Sequence, residues 1–186
     1  MSRFTVVDTP ISELRVIERK LIGDERGSLT RLFCADELKM AGWTTPVAQI
    51  NHTITRQKGV VRGIHFQHQP HTEAKLVSCI KGEVWDVAVD LRQGSQTFLQ
   101  WYGQILSEDN LKAFVIPEGF AHGFQTLSDN CELIYLHSSQ YELTAEAGLH
   151  PQDSRLAIDW VLPITAMSLR DSNHPKLSKK FLGIEI

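Results

Sequence analysis

Gly59-Val60-Val61-Arg62-Gly63-Ile64-His65-Phe66-Gln67 sets a guanidinium and an imidazole among residues that are mostly apolar or glycine. The run reads as a β-strand with no solvated face to receive its ionisable groups. Burying Arg62 and His65 without partners would cost on the order of the net stability of a small domain. A strand written this way is therefore expected to face a polar ligand. Lys75, Asp86, His122 and Tyr135 repeat the pattern, each set in or beside an apolar strand-like run.

Outward from this stretch, short runs rich in Val, Ile, Phe, Leu and Trp recur at 47–55, 75–80, 84–91, 98–106, 113–116, 121–127 and 132–137. Turn signals separate them, among them Gly23-Asp24-Glu25-Arg26-Gly27, Lys81-Gly82 and Pro117-Glu118-Gly119. Many short strands at near-regular spacing predict an all-β sandwich or barrel. Helical pattern is thin: one short helix over Asp36–Ala41, ended by Gly42, and a turn over Pro175–Phe181. Alternation assigns faces. In 84–91, Trp85, Val87, Val89 and Leu91 form an apolar face, whereas Val84, Asp86, Ala88 and Asp90 form one broken by carboxylates. Tyr135 shares a face with Cys131, Leu133 and His137. A two-sheet barrel with a wet lumen fits this better than a sandwich with a solvated outer face.

The 186 residues, with no linker and no repeat, predict a single domain over 1–186. A net charge of −3 gives no general attraction to nucleic acid or to anionic membrane, so an anionic ligand must be held by local Arg and Lys. Cys34, Cys79 and Cys131 are odd in number and widely spaced. They read as small core residues of a reducing compartment. With no long apolar stretch and no signal peptide at Met1-Ser2-Arg3-Phe4, the cytoplasm is the expected location.

Several side chains are suited to proton transfer. His65 can take and return a proton near neutral pH, and Asp171 could orient an imidazole. Alone, each would read plainly, as a core histidine and a surface turn residue, but the company of Lys75, Asp86, His122 and Tyr135 shifts His65 toward function. Lys75 could steady negative charge on an oxygen, or form an ion pair with Asp86 or Glu73, or both. Tyr135 could donate a proton or simply pack. Arg26 and Arg62 have the fork that clamps phosphate, and His122 lies among glycines and aromatics that let backbone approach a ligand. A metal set drawn from His65, Gln67, Glu73 and His122 has an amide where a second histidine is expected, although two imidazoles and one carboxylate could hold Fe(II).

Taken together, Gly23-Asp24-Glu25-Arg26-Gly27, Gln49-Ile50-Asn51, the run 59–67, Lys75-Leu76-Val77, the run 82–92 and the run 116–124 resemble the dTDP-4-dehydrorhamnose 3,5-epimerases of the cupin superfamily. The likeness extends from about Gly23 to about Asp171. It implies a double-stranded β-helix (jelly-roll) barrel, a homodimer, and catalysis with no cofactor and no metal. The implied substrate is a nucleotide-diphosphate 4-keto-6-deoxyhexose, its sugar in the lumen and its diphosphate toward the dimer boundary. Position by position, the resemblance makes His65 the base, paired with Asp171, Tyr135 the acid on the opposite face, and Lys75 the partner of the enolate oxygen. Arg26, Gln49, Asn51, Arg62, His122, Glu146 and Arg170 match substrate-binding positions. This agrees with the chemistry of the residues: a C4 ketone acidifies the hydrogens on C3 and C5, so inversion needs a base, an opposing acid and a cation.

The chain departs from the family pattern at Arg31, where a glutamate contacting the base is usual, at Leu29 for an aromatic, at Glu73 for a glutamine and at Leu136 for a lysine. Relatives with such changes include enzymes inverting C3 or C5 alone. The sequence therefore predicts an isomerase of dTDP-rhamnose-type sugar biosynthesis. The alternatives are a single-centre epimerase or keto-isomerase on the same scaffold, a metal-dependent cupin oxygenase and a sugar-binding cupin. Pure binding is disfavoured, because a binder has no need of both His65 and Tyr135.

Overall fold

Residues 2–186 are described in the computed structural model. Thirteen strands follow in order: β1 (Phe4–Asp8), β2 (Arg15–Arg19), β3 (Leu21–Asp24), β4 (Gly27–Thr30), β5 (Gln49–Thr55), β6 (Val61–Gln67), β7 (Lys75–Lys81), β8 (Glu83–Asp90), β9 (Trp101–Ser107), β10 (Lys112–Ile116), β11 (Phe120–Thr126), β12 (Cys131–His137) and β13 (Glu146–Gly148). They form a six-stranded sheet, β1-β2-β10-β7-β12-β5, a five-stranded sheet, β13-β6-β11-β8-β9, and the separate hairpin β3-β4. Every pairing between named strands is antiparallel.

The alternation seen in the sequence decides what lies between the sheets. Val16, Val77, Phe114, Leu133 and Tyr135 from the first sheet pack against Val84, Ala88, Leu106, Phe120 and Phe124 from the second. The outward faces are covered as well. Ile64, Val87, Val89 and Ala121 lie under the C-terminal segment through Leu156, Ile158, Leu177, Phe181 and Ile184. Ile17, Leu76, Ala113 and Leu136 lie under Leu38, Ala41 and Trp43. Each fully buried side chain of this size contributes roughly 1.5–3 kcal/mol. Where the outer faces are covered in this way, Lys75 and His122 turn into the lumen, whereas the outward face of β5 stays exposed.

Three local features differ from the sequence-based expectation or refine it. The short helix is present as α1 (Ala35–Leu38) continued by a 3-10 turn through Ala41, and Gly42 ends it at φ 89° in the left-handed region. Pro175–Phe181 is not helical. The C-terminal helix is α2 (Leu169–Ser172), where Ser168 caps the start by accepting the Asp171 N–H, and the chain leaves helical geometry before Pro175. Strands β1 to β4 and β13 also escaped the reading. β3 and β4 are exposed or nearly so along their whole length, so no hydrophobic alternation marks them.

Cys79 and Cys131 are buried and unpaired, and burial, with the neighbouring Cys131, pushes the Cys79 thiol up to about 12. No helix of the described residues is long and apolar enough to cross a membrane.

Candidate active site

Strand β6 is not regular. Arg62 pairs with Phe124 and His65 with His122, so three steps on β6 oppose two on β11. The extra residue falls at Gly63-Ile64, where Gly63 has φ 124° and a side chain would collide with Gly123 Cα at 2.5 Å. In an unbroken strand, residues three apart point to opposite faces. The bulge cancels that inversion and turns Arg62 and His65 into the same cavity.

The cavity opens at the polar end of the lumen. Gln49, Asn51, Arg62, His65, Lys75, His122, Tyr135, Glu146 and Arg170 line it, with Thr53, Glu73, Phe124, His137 and Tyr141. Asp171 stands behind the wall. Its Oδ1 lies 2.8 Å from His65 Nε2, and its Oδ2 accepts the Gly63 N–H at 3.3 Å. Burial raises the Asp171 carboxyl, but His65 and the Gly63 N–H outweigh it and hold the group below the ordinary aspartate range. With Nε2 committed to an ionised Asp171, Nδ1 is the free ring nitrogen of His65.

Tyr135 comes from β12, in the sheet facing His65. Burial, reinforced by the Asp86 carboxylate, pushes its phenol well above the ordinary tyrosine value. The phenol thus keeps its proton across the physiological range. Its ring lies edge-on to His122 at 5.8 Å and stacks on His137 at 6.1 Å.

Of the two ion-pair partners open to Lys75, Glu73 is the one it meets, at 3.1 Å. Asp86 instead takes His122 Nε2 at 2.9 and 3.0 Å. Burial pushes the Asp86 carboxyl up against the opposing pull of His122 and Lys75. Burial raises Glu73 as well, but there Lys75 and His137 prevail and leave it below the ordinary glutamate value. Lys75 is 6% exposed, so its ammonium is largely desolvated, a state in which it interacts strongly with nearby negative charge. At the rim, Arg170 Nη1 lies 2.9 Å from both oxygens of Glu146, and Tyr141 donates to the same carboxylate at 2.9 Å.

Asp171 apart, which meets the cavity through His65, Arg26 is the one predicted site residue that does not line it. It sits at the tip of the β3–β4 hairpin, exposed and paired with Asp24 at 2.6 Å. The four residues weighed as metal ligands are each engaged elsewhere. Gln67 ties down the 140–142 loop, donating to the carbonyls of His71 and Gln140 and accepting the Glu142 N–H. Glu73, His65 and His122 hold the partners already given. Among the described residues, the one cluster with metal-ligand spacing is His65, Asp171 and His174. Arg170, whose Nη2 is 3.4 Å from His65 Nε2, places a cation against that cluster.

Sequence reasoning missed His137, His174 and Tyr141. His174 lies edge-on to His65 at 5.5 Å, and burial, with His65 beside it, lowers its basicity. His137 could have been found by alternation, since it shares a face with Tyr135. Nothing local marks His174, which is brought to the site by α2.

An antiparallel two-sheet barrel that sets an imidazole–carboxylate pair and a buried phenol around one polar lumen is a cupin-fold protein. The comparisons make the assignment specific. The family model described as dTDP-4-dehydrorhamnose 3,5-epimerase matches residues 8–179, and the chain belongs to this family of isomerases. A dTDP-4-dehydrorhamnose 3,5-epimerase of Shigella flexneri is 40% identical over 172 residues, 92% of this chain and 94% of that protein. A dTDP-4-dehydrorhamnose 3-epimerase of Streptomyces niveus is 41% identical over 151 residues, 81% of this chain and 72% of that one. The crystal structure of the Legionella pneumophila dTDP-6-deoxy-D-glucose-3,5-epimerase, in complex with dTDP-4-keto-L-rhamnose, superposes with a TM-score of 0.91 at 41% identity, covering 98% of both chains.

Proposed function

We propose that this protein is a cofactor-independent epimerase of a dTDP-linked 4-keto-6-deoxyhexose, inverting C3 and C5 of dTDP-4-dehydro-6-deoxyglucose. The observation that carries the reading is the placement of His65 and Tyr135 on facing sheets around one cavity, with Lys75 lining it from the sheet of Tyr135. His65, its Nε2 donating to Asp171, uses Nδ1 to remove the proton next to the C4 ketone. The electrons move onto the carbonyl oxygen, where Lys75 stabilises the enolate. Tyr135 returns a proton from the opposite side, and the configuration is inverted. Gln49, Asn51, Arg62, His122, Glu146 and Arg170 bind and orient the substrate, with Arg62 at the open end suited to phosphate.

The same proposal accounts for Arg26. Ile50 and Ile54 are 64% and 55% exposed on the outward face of β5, and Leu21 and Leu29 of the hairpin are 53% and 68% exposed. Such apolar surface on a folded chain is suited to burial against a second copy. In a homodimer, the β3–β4 hairpin can reach the neighbouring barrel and bring Arg26 to the nucleotide diphosphate. The working form is thus a cytoplasmic homodimer in which each chain is a single domain.

The test is incubation with dTDP-4-keto-6-deoxyglucose in D2O. Deuterium at C3 and C5, with inverted product, is the expected result. The Streptomyces niveus relative, a 3-epimerase by name, makes single-centre inversion the second reading, and deuterium at one carbon alone would establish it. No exchange at either carbon would reject both.

A further inference from the structure

On the Tyr135 side of the cavity, five side chains form one directed line of hydrogen bonds. Gln49 Nε2 donates to Asn51 Oδ1 at 3.1 Å, and Asn51 Nδ2 faces His137 Nε2 at 3.4 Å. His137 Nδ1 lies 2.8 Å from Glu73 Oε2, and Lys75 Nζ lies 3.1 Å from Glu73 Oε1. Glu73 and His137 are both largely buried, their side chains 10% and 12% exposed. Because Asn51 presents its amide N–H groups, His137 Nε2 must accept. Its proton therefore sits on Nδ1 and is donated to Glu73. Every donor in the line points toward one carboxylate.

We propose that Glu73 and His137 are positioning residues that couple substrate-binding Gln49 and Asn51 to Lys75. The catalytic consequence rests on the epimerase reading above, whereas the network itself does not. Glu73 receives a donor on each oxygen, so it holds the Lys75 ammonium at the wall where the enolate oxygen forms. His137 transmits the orientation of Asn51 to that carboxylate and fixes the stacked face of Tyr135. A sugar that turns the Asn51 amide would reverse the demand on His137 Nε2 and loosen the hold on Lys75.

An amide at position 73 cannot serve both neighbours. Glu73→Gln has one acceptor oxygen. Turned to Lys75, it offers N–H to a ring nitrogen that already carries hydrogen. Turned to His137, it sets two donors against each other at Lys75. The first arrangement expels the proton of His137 from Nδ1 to Nε2 and forces Asn51 to flip.

Nitrogen-15 NMR of the ring nitrogens decides the matter. Wild-type His137 is expected as the Nδ1–H tautomer in the ligand-free protein, a measurement that needs no substitution, and a dominant Nε2–H form would overturn the proposal. In Glu73→Gln the Nε2–H form should appear. Turnover should fall roughly tenfold, since a small misplacement of a reacting group is costly, while dTDP affinity stays within about twofold. His137→Phe keeps the stacked ring without its nitrogens and should show the same split between turnover and binding. Unchanged turnover in both variants, measured on an active wild type, would also overturn the proposal. A wild type that fails to exchange deuterium would instead reject the epimerase reading, leaving the tautomer to judge the network.

Discussion

His65 and Asp171 show how a single contact sets a chemical role. In the proposed mechanism the carboxylate engages Nε2 and leaves Nδ1 to act as the base, so removing the ring should remove proton abstraction but little binding. His65→Ala is expected to abolish deuterium exchange with dTDP affinity within about twofold, read by NMR and calorimetry, since a general base contributes roughly 10²–10⁴ in rate. Tyr135→Phe should still wash deuterium into the substrate while yielding little inverted product; an undiminished yield would remove Tyr135 as the donor. Asp171 also links the site to pH. Its folded-state pKa is lowered, so the stability it contributes is present above the unfolded aspartate value, about 4, and is lost as pH falls through the lowered folded value. Thermal midpoints of wild type and Asp171→Asn should therefore differ most near neutrality and converge in acid. A gap that widens below pH 4 would contradict the assignment.

Strands β6 and β11 carry the arrangement from residues to geometry. Their close approach at Gly63 and Gly123 makes the bulge possible, and the bulge turns Arg62 and His65 to one side. A methyl group at position 123 would meet Ile64 Cδ1 at 2.6 Å and the Arg62 carbonyl at 2.7 Å. Gly123→Ala should push β6 away, costing about 1–3 kcal/mol as overpacking and lowering turnover more than that loss of stability alone would. Chemical denaturation together with the exchange assay checks both parts. A variant of wild-type stability and turnover would show that the close approach has no bearing on the site. Helix α2 plays the complementary part, since its Ser168 cap fixes the backbone from which Asp171 reaches behind β6.

At the scale of the molecule, the proposed dimer gives a direct expectation. The chain of 21.0 kDa should run at twice its mass in light scattering. Ile54→Glu, placing a charge on the outward face of β5, should shift it toward the monomer and weaken dTDP binding if Arg26 acts across the boundary. A wild-type monomer with full activity would end that account. The eight strands from β5 to β12, the inward and outward faces of β8 and β12, and the short helix ending at Gly42 were legible in the sequence. Each depends on periodicity or on a local backbone preference, which neighbours in the chain suffice to encode. The candidate acid, base and cation were legible for a related reason: ionisable groups in apolar strands conflict with burial, and the conflict is local. What the sequence left open was decided by contacts between distant segments. Lys75 could have met Asp86 or Glu73, and only the register of β8 against β11 gave Asp86 to His122. Arg62 and His65, three residues apart, share a cavity because two glycines from different strands touch. His174 reached the site by packing rather than by any motif. The pattern of residues thus determined which strand faces would be apolar, while the exposure of Arg62 and the partners of the buried groups depended on how the two sheets pack together.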